Sequence, residues 1–306
     1  MTYASGGLIE ATDLNGFVST GSPNFNNIWS TGSSDAGYGQ TAVSTVTAGT
    51  TVSFNPWNTL ITNINLAAAH QGVTLIPIIT PPVAGDLVSY LSTLSAHIVS
   101  VNNNRLNASA VGTDITTTGT RSASWGNNLS IPTVTSTITV TFGSAAQARY
   151  FFNTGGAVLV SCSRTGGVGS PEDVSWSDLC TAVGSLGLPA VSTAQTIAAA
   201  NYTGLTKFSG SGTPTTYTRS GYYNLTGTPA ILFKQYSIAT AYTSDYIQLS
   251  YSTTATVLTI TVQFTDSHTS SPVTGSLSVT AIARPSETTN ITNSWGTPVV
   301  AVSAPA

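Results

Sequence analysis

The 306 residues include 8 Lys and Arg against 11 Asp and Glu, and only 6% of the chain is charged where roughly 25% is ordinary. The eight cations, from Arg105 to Arg284, stand far apart, so no basic patch exists to hold a phosphate backbone and nucleic acid is excluded as a partner. With 41% apolar residues the chain is also outside the disordered class, which combines low hydrophobicity with high charge.

What replaces the missing charge is Ser, Thr, Asn and Gly, giving a neutral, hydroxyl-rich surface that few desolvation costs would keep from packing on a neighbour. The length allows two domains, each with its own core. The longest apolar run, Val73 to Ile79, contains Pro77 and is under half of the about 20 residues a spanning helix needs. The opening Met1-Thr2-Tyr3-Ala4-Ser5 has neither the positive charge nor the apolar core of a secretory leader, so a chain made in a cytoplasm is expected. Cys162 and Cys180 are expected to be small buried thiols, and no cofactor or metal is expected.

Residues 1–107 read as a helical docking or assembly region. A phrase recurs in it: Ile9 set against Val52 aligns Leu14, Phe17 and Val18 with Trp57, Leu60 and Ile61, and a looser third copy begins at Ala84. The second helix is capped by Ser53 or Asn55, carries Pro56 in its first turn, and sets Trp57, Leu60, Ile61, Ile64 and Ala68 at helical spacing. The third runs through Leu87, Tyr90, Leu91, Leu94, Ile98 and Val101 to Asn102-Asn103-Asn104. Helices with one apolar stripe must pack on one another or on a neighbouring subunit. Leu14, Phe17, Trp57, Leu60, Ile61, Ile64, Leu91, Leu94 and Ile98 are therefore the candidate subunit-interface residues. His70 and His97, without ligand-spaced partners, are read as structural. Asp35-Ala36-Gly37-Tyr38-Gly39-Gln40 is read as a tight connecting loop.

Residues 108–124, rich in Thr and Ser, are expected to be a linker, and 125–285 a mixed, β-rich domain. The hub of that domain is Ile138 to Gly167: a period-two strand, a short helix capped by Gly143 or Ser144, a stop at Gly155-Gly156, and a second strand ending at Arg164-Thr165-Gly166-Gly167. Ser170-Pro171-Glu172-Asp173 then opens a helix, with two acids suited to its positive end. Asp173 and Asp178 do not share a helical face and make no acid–base pair. Residues 190–228 read as loop. Tyr202, Tyr217, Tyr222 and Tyr223 within it either anchor that loop or, as a second possibility, stack on a host surface glycan.

The last third alternates apolar and hydroxyl residues over four stretches starting at Ala230, Tyr246, Val257 and Gly275, the mark of antiparallel strands in one or two sheets. Asp266-Ser267-His268 are adjacent in sequence, whereas a catalytic triad converges from separate elements. Residues 286–306 are expected to be a C-terminal arm docking on a neighbour. The fold class expected is α+β: a small helical N-terminal part, then an antiparallel, sandwich-like β domain with one or two short helices.

Several phrases carry a resemblance. Ala148-Arg149-Tyr150-Phe151-Phe152-Asn153 with Gly155-Gly156, then Ser163-Arg164-Thr165-Gly166-Gly167, resembles a segment of uncharacterised virion structural proteins of tailed bacteriophages, notably contractile-tailed cyanophages. Ile9 to Asn15, Asp35 to Gln40, and Tyr246 through Arg284-Pro285-Ser286 resemble other parts of the same proteins. The resemblance implies a virion component of tail or fibre type with no assigned chemistry, and so no catalytic residues to carry over. Composition and resemblance together lead to the expectation of a non-enzymatic structural subunit in the virion. It would sit in the tail, baseplate, neck or a short fibre, trimeric or otherwise symmetric, with other copies and other virion proteins as partners. A receptor-binding fibre or adhesin is the alternative. A depolymerase would need paired carboxylates on neighbouring strands, and the eleven acids are too scattered in sequence to suggest a pair.

Overall fold

The computed structural model describes residues 10–49, 53–83 and 90–306. The repeat positions Ile9 and Val52 and the start of the third copy, 84–89 with Leu87, lie outside them.

The helical part contains α1 (Ala11–Asn15), continued by a π-turn at Gly16–Thr20, then α2 (Phe25–Trp29), α3 (Phe54–Gln71) and α4 (Leu91–Asn103). Ser53 stands at the N-cap of α3 and Gly72, at φ +71°, turns the chain out of it. The stripes expected to face neighbouring subunits close on each other within the chain. Leu14, Phe17, Trp57, Leu60, Ile61, Ile64, Leu94 and Ile98 are buried in one cluster, with Leu91 partly buried at its margin. The phenyl ring of Phe17 meets the indole of Trp57 edge-on at 6.1 Å. Apolar stripes contributed by several helices of one chain thus cover one another.

The remainder is built on two antiparallel sheets. Six strands, β13 (Val299–Val302), β2 (Thr133–Thr141), β11 (Val257–Thr265), β10 (Tyr246–Thr253), β9 (Ala230–Tyr236) and β8 (Thr216–Tyr217), pair in that order. Five more, β1 (Ile115–Arg121), β12 (Ser276–Arg284), β3 (Ala157–Thr165), β4 (Ser185–Leu188) and β7 (Thr206–Lys207), make the second sheet. A separate hairpin joins β5 (Ala194–Ile197) to β6 (Ala200–Thr203). Strands β2, β10, β11 and β12 bury every second residue, as the apolar–hydroxyl alternation requires. Their inward faces share one core with α5 (Ala145–Asn153) and α6 (Pro171–Val183). The architecture is the expected α+β fold with a β-rich domain.

The hub has the expected local form. Ser144 caps α5 by accepting from the Gln147 amide (3.0 Å), and Gly155 turns the chain at φ +85°. Strand β2 lies in the six-stranded sheet and β3 in the five-stranded one, so this strand–helix–strand unit links the two layers.

Three expectations are corrected. The 108–124 segment is not a linker: β1 pairs with β12 from Ile115↔Ala283 to Arg121↔Leu277. Its Thr residues look like linker composition, but hydroxyls bond across the strands, Thr118 to Thr280 (2.9 Å) and Thr120 to Ser278 (2.8 Å). The 190–228 stretch holds short strands rather than continuous loop. The C-terminal arm docks on its own chain: β13 pairs with β2, Ile291 enters the helical core, and the Trp295 ring meets Tyr150 at 5.8 Å.

Helical part and β domain are bolted together by polar contacts, those of Asn153 buried and those of Arg149 nearer the surface. The Asn153 side-chain amide donates to the carbonyls of Ala36 (2.9 Å) and Gly37 (3.1 Å), and Arg149 donates to Thr31 (2.7 Å) and Ala36 (3.1 Å). A Cβ on Gly39, at φ +68°, would lie 2.5 Å from the Tyr150 ring. The two phrases Asp35–Gln40 and Ala148–Asn153 are thus the two halves of one joint.

Candidate functional site

At its start α6 places two adjacent acids in contrasting surroundings. Ser170 caps the helix by accepting from the Asp173 amide (3.1 Å). Asp173, fully buried, accepts from the Thr274 amide (2.7 Å), the Thr274 hydroxyl (2.7 Å) and the Gly169 amide (3.1 Å). It also pairs with the buried guanidinium of Arg164 (2.5 Å). Burial alone would raise its pKa, but these donors and the Arg164 charge hold the carboxyl below the usual range. Gly167, at φ +82°, is required there, because a Cβ would sit 2.3 Å from Arg164 Nη2 and 2.8 Å from Asp173 Oδ2. The Arg-Thr-Gly-Gly phrase is therefore part of a buried salt bridge, not a free loop.

Glu172 has none of that support. Its side chain is wholly buried, and neither carboxylate oxygen accepts a hydrogen bond from any described residue. Its polar neighbours are two further buried acids, Asp245 and Asp266, and one ligand oxygen from each of the three falls within 4.8 Å of the others. The pairing of β10 with β11 brings the two aspartates together. Tyr246 faces Thr265 in the register, so Asp245, just before one strand, and Asp266, just after the other, continue the ladder as opposed like charges. Asp266 accepts from the amides of Asn127 (2.8 Å) and His268 (3.0 Å), and Asp245 Oδ1 from the Ser267 amide (2.8 Å). Asp245 Oδ2 is buried without a donor. Gly126 leaves space beside the cluster: a Cβ there would fall 2.5 Å from Asp266 Oδ2. Trp176, one turn beyond Glu172, packs on Trp125 (4.7 Å) and Phe264 (6.2 Å) and helps keep water away.

Burial, followed by the charges of Asp266 and Asp245, pushes the Glu172 carboxyl up to about 9. Burial also raises Asp245, to about 6, with the Asp266 charge adding to the effect and the Ser267 amide and His268 opposing it. A cluster of this kind can take up protons, or it can hold a hard cation through oxygen ligands.

A second buried polar contact lies between the two parts of the molecule. His70, with no exposed surface, directs Nδ1 at Glu287 Oε1 (2.9 Å) and Nε2 at the Thr154 carbonyl (3.1 Å). Glu287 also accepts from the Thr289 amide and from the Asn290 amide (3.0 Å). Burial would raise its pKa, but the His70 hydrogen bond and the amides bring it down to about 2.

The residues proposed for glycan contact are not displayed. Tyr202 and Tyr222 are buried, Tyr222 stacking on Phe152 at 4.1 Å. Tyr223 and Tyr217 are half-buried: the Tyr223 hydroxyl donates to Asn153 Oδ1 (2.7 Å), and the Tyr217 hydroxyl accepts from the Lys207 amide (2.6 Å). This tyrosine set anchors the 190–228 segment and does not offer rings to a sugar. His97 is buried as well, held against the backbone of Ile76 and Pro77, and both cysteines are free thiols, Cys162 half-buried. Asp178 is exposed, and Ser267 Oγ bonds the Ser244 carbonyl rather than His268, so Asp266-Ser267-His268 form no triad. Val174, at 53% exposure, faces outward from α6.

Sequence reading did not bring Glu172, Asp245 and Asp266 together. One signal was present: an Asp immediately before one long strand and another immediately after the next, which meet if the two strands form a hairpin. Compared with family models, curated proteins and solved structures, the chain finds no match.

Proposed function

We propose that this chain is a non-enzymatic structural subunit of a bacteriophage virion, serving in the tail, baseplate, neck or a short fibre among symmetric copies of itself and other virion proteins. The observation that supports this most is a surface suited to packing. Between α3 and α4 the chain is pinned by buried Leu75 and Ile79, and between these pins Ile76 and Ile78 stand 79% and 80% exposed. Each such side chain forgoes about 1.5–3 kcal/mol that burial against a neighbour would recover. The chain as a whole has few charges to desolvate, only 6% of its residues. Ala148–Asn153 and Asp35–Gln40, two of the segments that carry the resemblance to virion proteins, meet in the joint between the helical part and the β domain.

The test is the mass in solution of the full chain by light scattering, beside the Ile76→Ser/Ile78→Ser double variant. A symmetric oligomer that falls to monomer in the variant supports the reading. A wild-type monomer at micromolar concentration that binds no virion protein would sink it. The adhesin alternative has less support, since the tyrosines that would serve it are engaged inside the chain.

A further inference from the structure

We infer that Glu172, Asp245 and Asp266 form a binding site for a hard divalent cation, calcium before magnesium, which pins the start of α6 to the β10–β11 hairpin. Three observations lead there. The donors are all carboxylate oxygens, the set that selects calcium, magnesium or manganese over zinc or copper. They come from three separate places in the chain with one oxygen of each within 4.8 Å of the others, and all three are buried, which favours calcium over magnesium because magnesium gives up its water shell reluctantly. Finally, both oxygens of Glu172 and Oδ2 of Asp245 are buried and receive no donor from the described residues, although every other ligand-set oxygen engaged by the chain meets a backbone amide.

The last point separates this cluster from ordinary structural acids. A few residues away, Arg164 and Thr274 fully satisfy Asp173. Among the described residues nothing comparable turns toward Glu172: the charged groups acting on it are Asp266 and Asp245 themselves, and Asp245 is offset only by the Ser267 amide, the Glu172 carboxyl beside it and the more weakly acting His268. A carboxylate placed so is stable only when protonated or when a cation neutralises it. Cation binding must therefore displace protons from the cluster, so affinity rises with pH.

The experiment is thermal unfolding of the full chain in chelator and in about 1 mM calcium, at about pH 8 and about pH 5.5, with magnesium and manganese in parallel. Calcium is expected to raise Tm by several degrees at the higher pH, with a smaller effect at the lower one and a smaller effect of magnesium. Glu172→Gln is expected to raise the chelator Tm at about pH 8, by removing a buried charge, and to abolish the calcium response. Asp245→Asn should abolish the response too. Because the two substitutions remove charge rather than volume, both variants keep the shape of the core. Titration calorimetry in two buffers of different ionisation enthalpy reads the proton release directly. No shift and no heat with any of the three ions would overturn the site and leave a cluster neutralised by protons alone. A calcium shift that survives Glu172→Gln would also overturn it, placing the ion elsewhere.

Discussion

Single residues decide how the interior tolerates charge. Arg164 and Asp173 are both buried, so Arg164→Met leaves an unpaired carboxylate and is expected to cost about 3–5 kcal/mol, measured by urea unfolding. Asp173→Asn combined with Arg164→Met should recover much of that loss. Glu287 gives the molecule an acid limit. Its folded pKa of about 2 lies below the ordinary 4.5, so its contribution is complete above pH 4.5 and is lost as pH falls through about 2. Between those values wild type should lose roughly 2–3 kcal/mol that Glu287→Gln does not, read from denaturant midpoints across the acid range. Glu172 acts with the opposite sign. Its pKa is raised from 4.5 to about 9, so without a cation the folded state keeps a proton that the unfolded state gives up, and stability declines with rising pH over that span. A chelated protein is thus expected to be most stable in mildly acidic solution, and Glu172→Gln should flatten the alkaline side of the profile.

At the level of elements, α6 shows how local signals and tertiary demands combine. Ser170, Pro171 and two acids specify its start from sequence alone, and Ser170→Ala is expected to cost about 1 kcal/mol through the lost cap. The same acids that suit the helix dipole were legible only as dipole partners. That one of them meets Arg164 and the other meets Asp245 and Asp266 depends on sheet pairing. The hub was legible for a different reason: a period-two strand, a cap, a short helix and a glycine stop are all local choices, and each recurs in β2, α5 and β3. Strand β1 was not legible, since Ile115-Thr116-Thr117-Thr118-Gly119-Thr120-Arg121 has the composition of a linker. It is a strand because β12 lies beside it and the backbone ladder, with its hydroxyl pairs, supplies what apolar content does not.

Across the whole molecule, helical part and β domain behave as one body. Asn153 ties Ala36 and Gly37 to Tyr223, His70 ties α3 to Thr154 and Glu287, and Ile291 carries the C-terminal segment into the helical core. A single cooperative unfolding transition is expected by calorimetry. Asn153→Ala, which takes the side-chain donor from the buried Gly37 carbonyl and the acceptor from the Tyr223 hydroxyl, should lower its midpoint or split it in two. Sequence alone determined the α+β class, the alternating strands of the last third, the caps of α5 and α6, and the neutral surface, because each follows from composition or from contacts within a few residues. Tertiary structure alone decided that the helical stripes close on one another, that the C-terminal segment pairs with β2, and that Glu172, Asp245 and Asp266 converge. Those outcomes depend on which distant segments become neighbours, and with so few charges and so many interchangeable hydroxyls, only the register of the assembled sheets distinguishes one pairing from another.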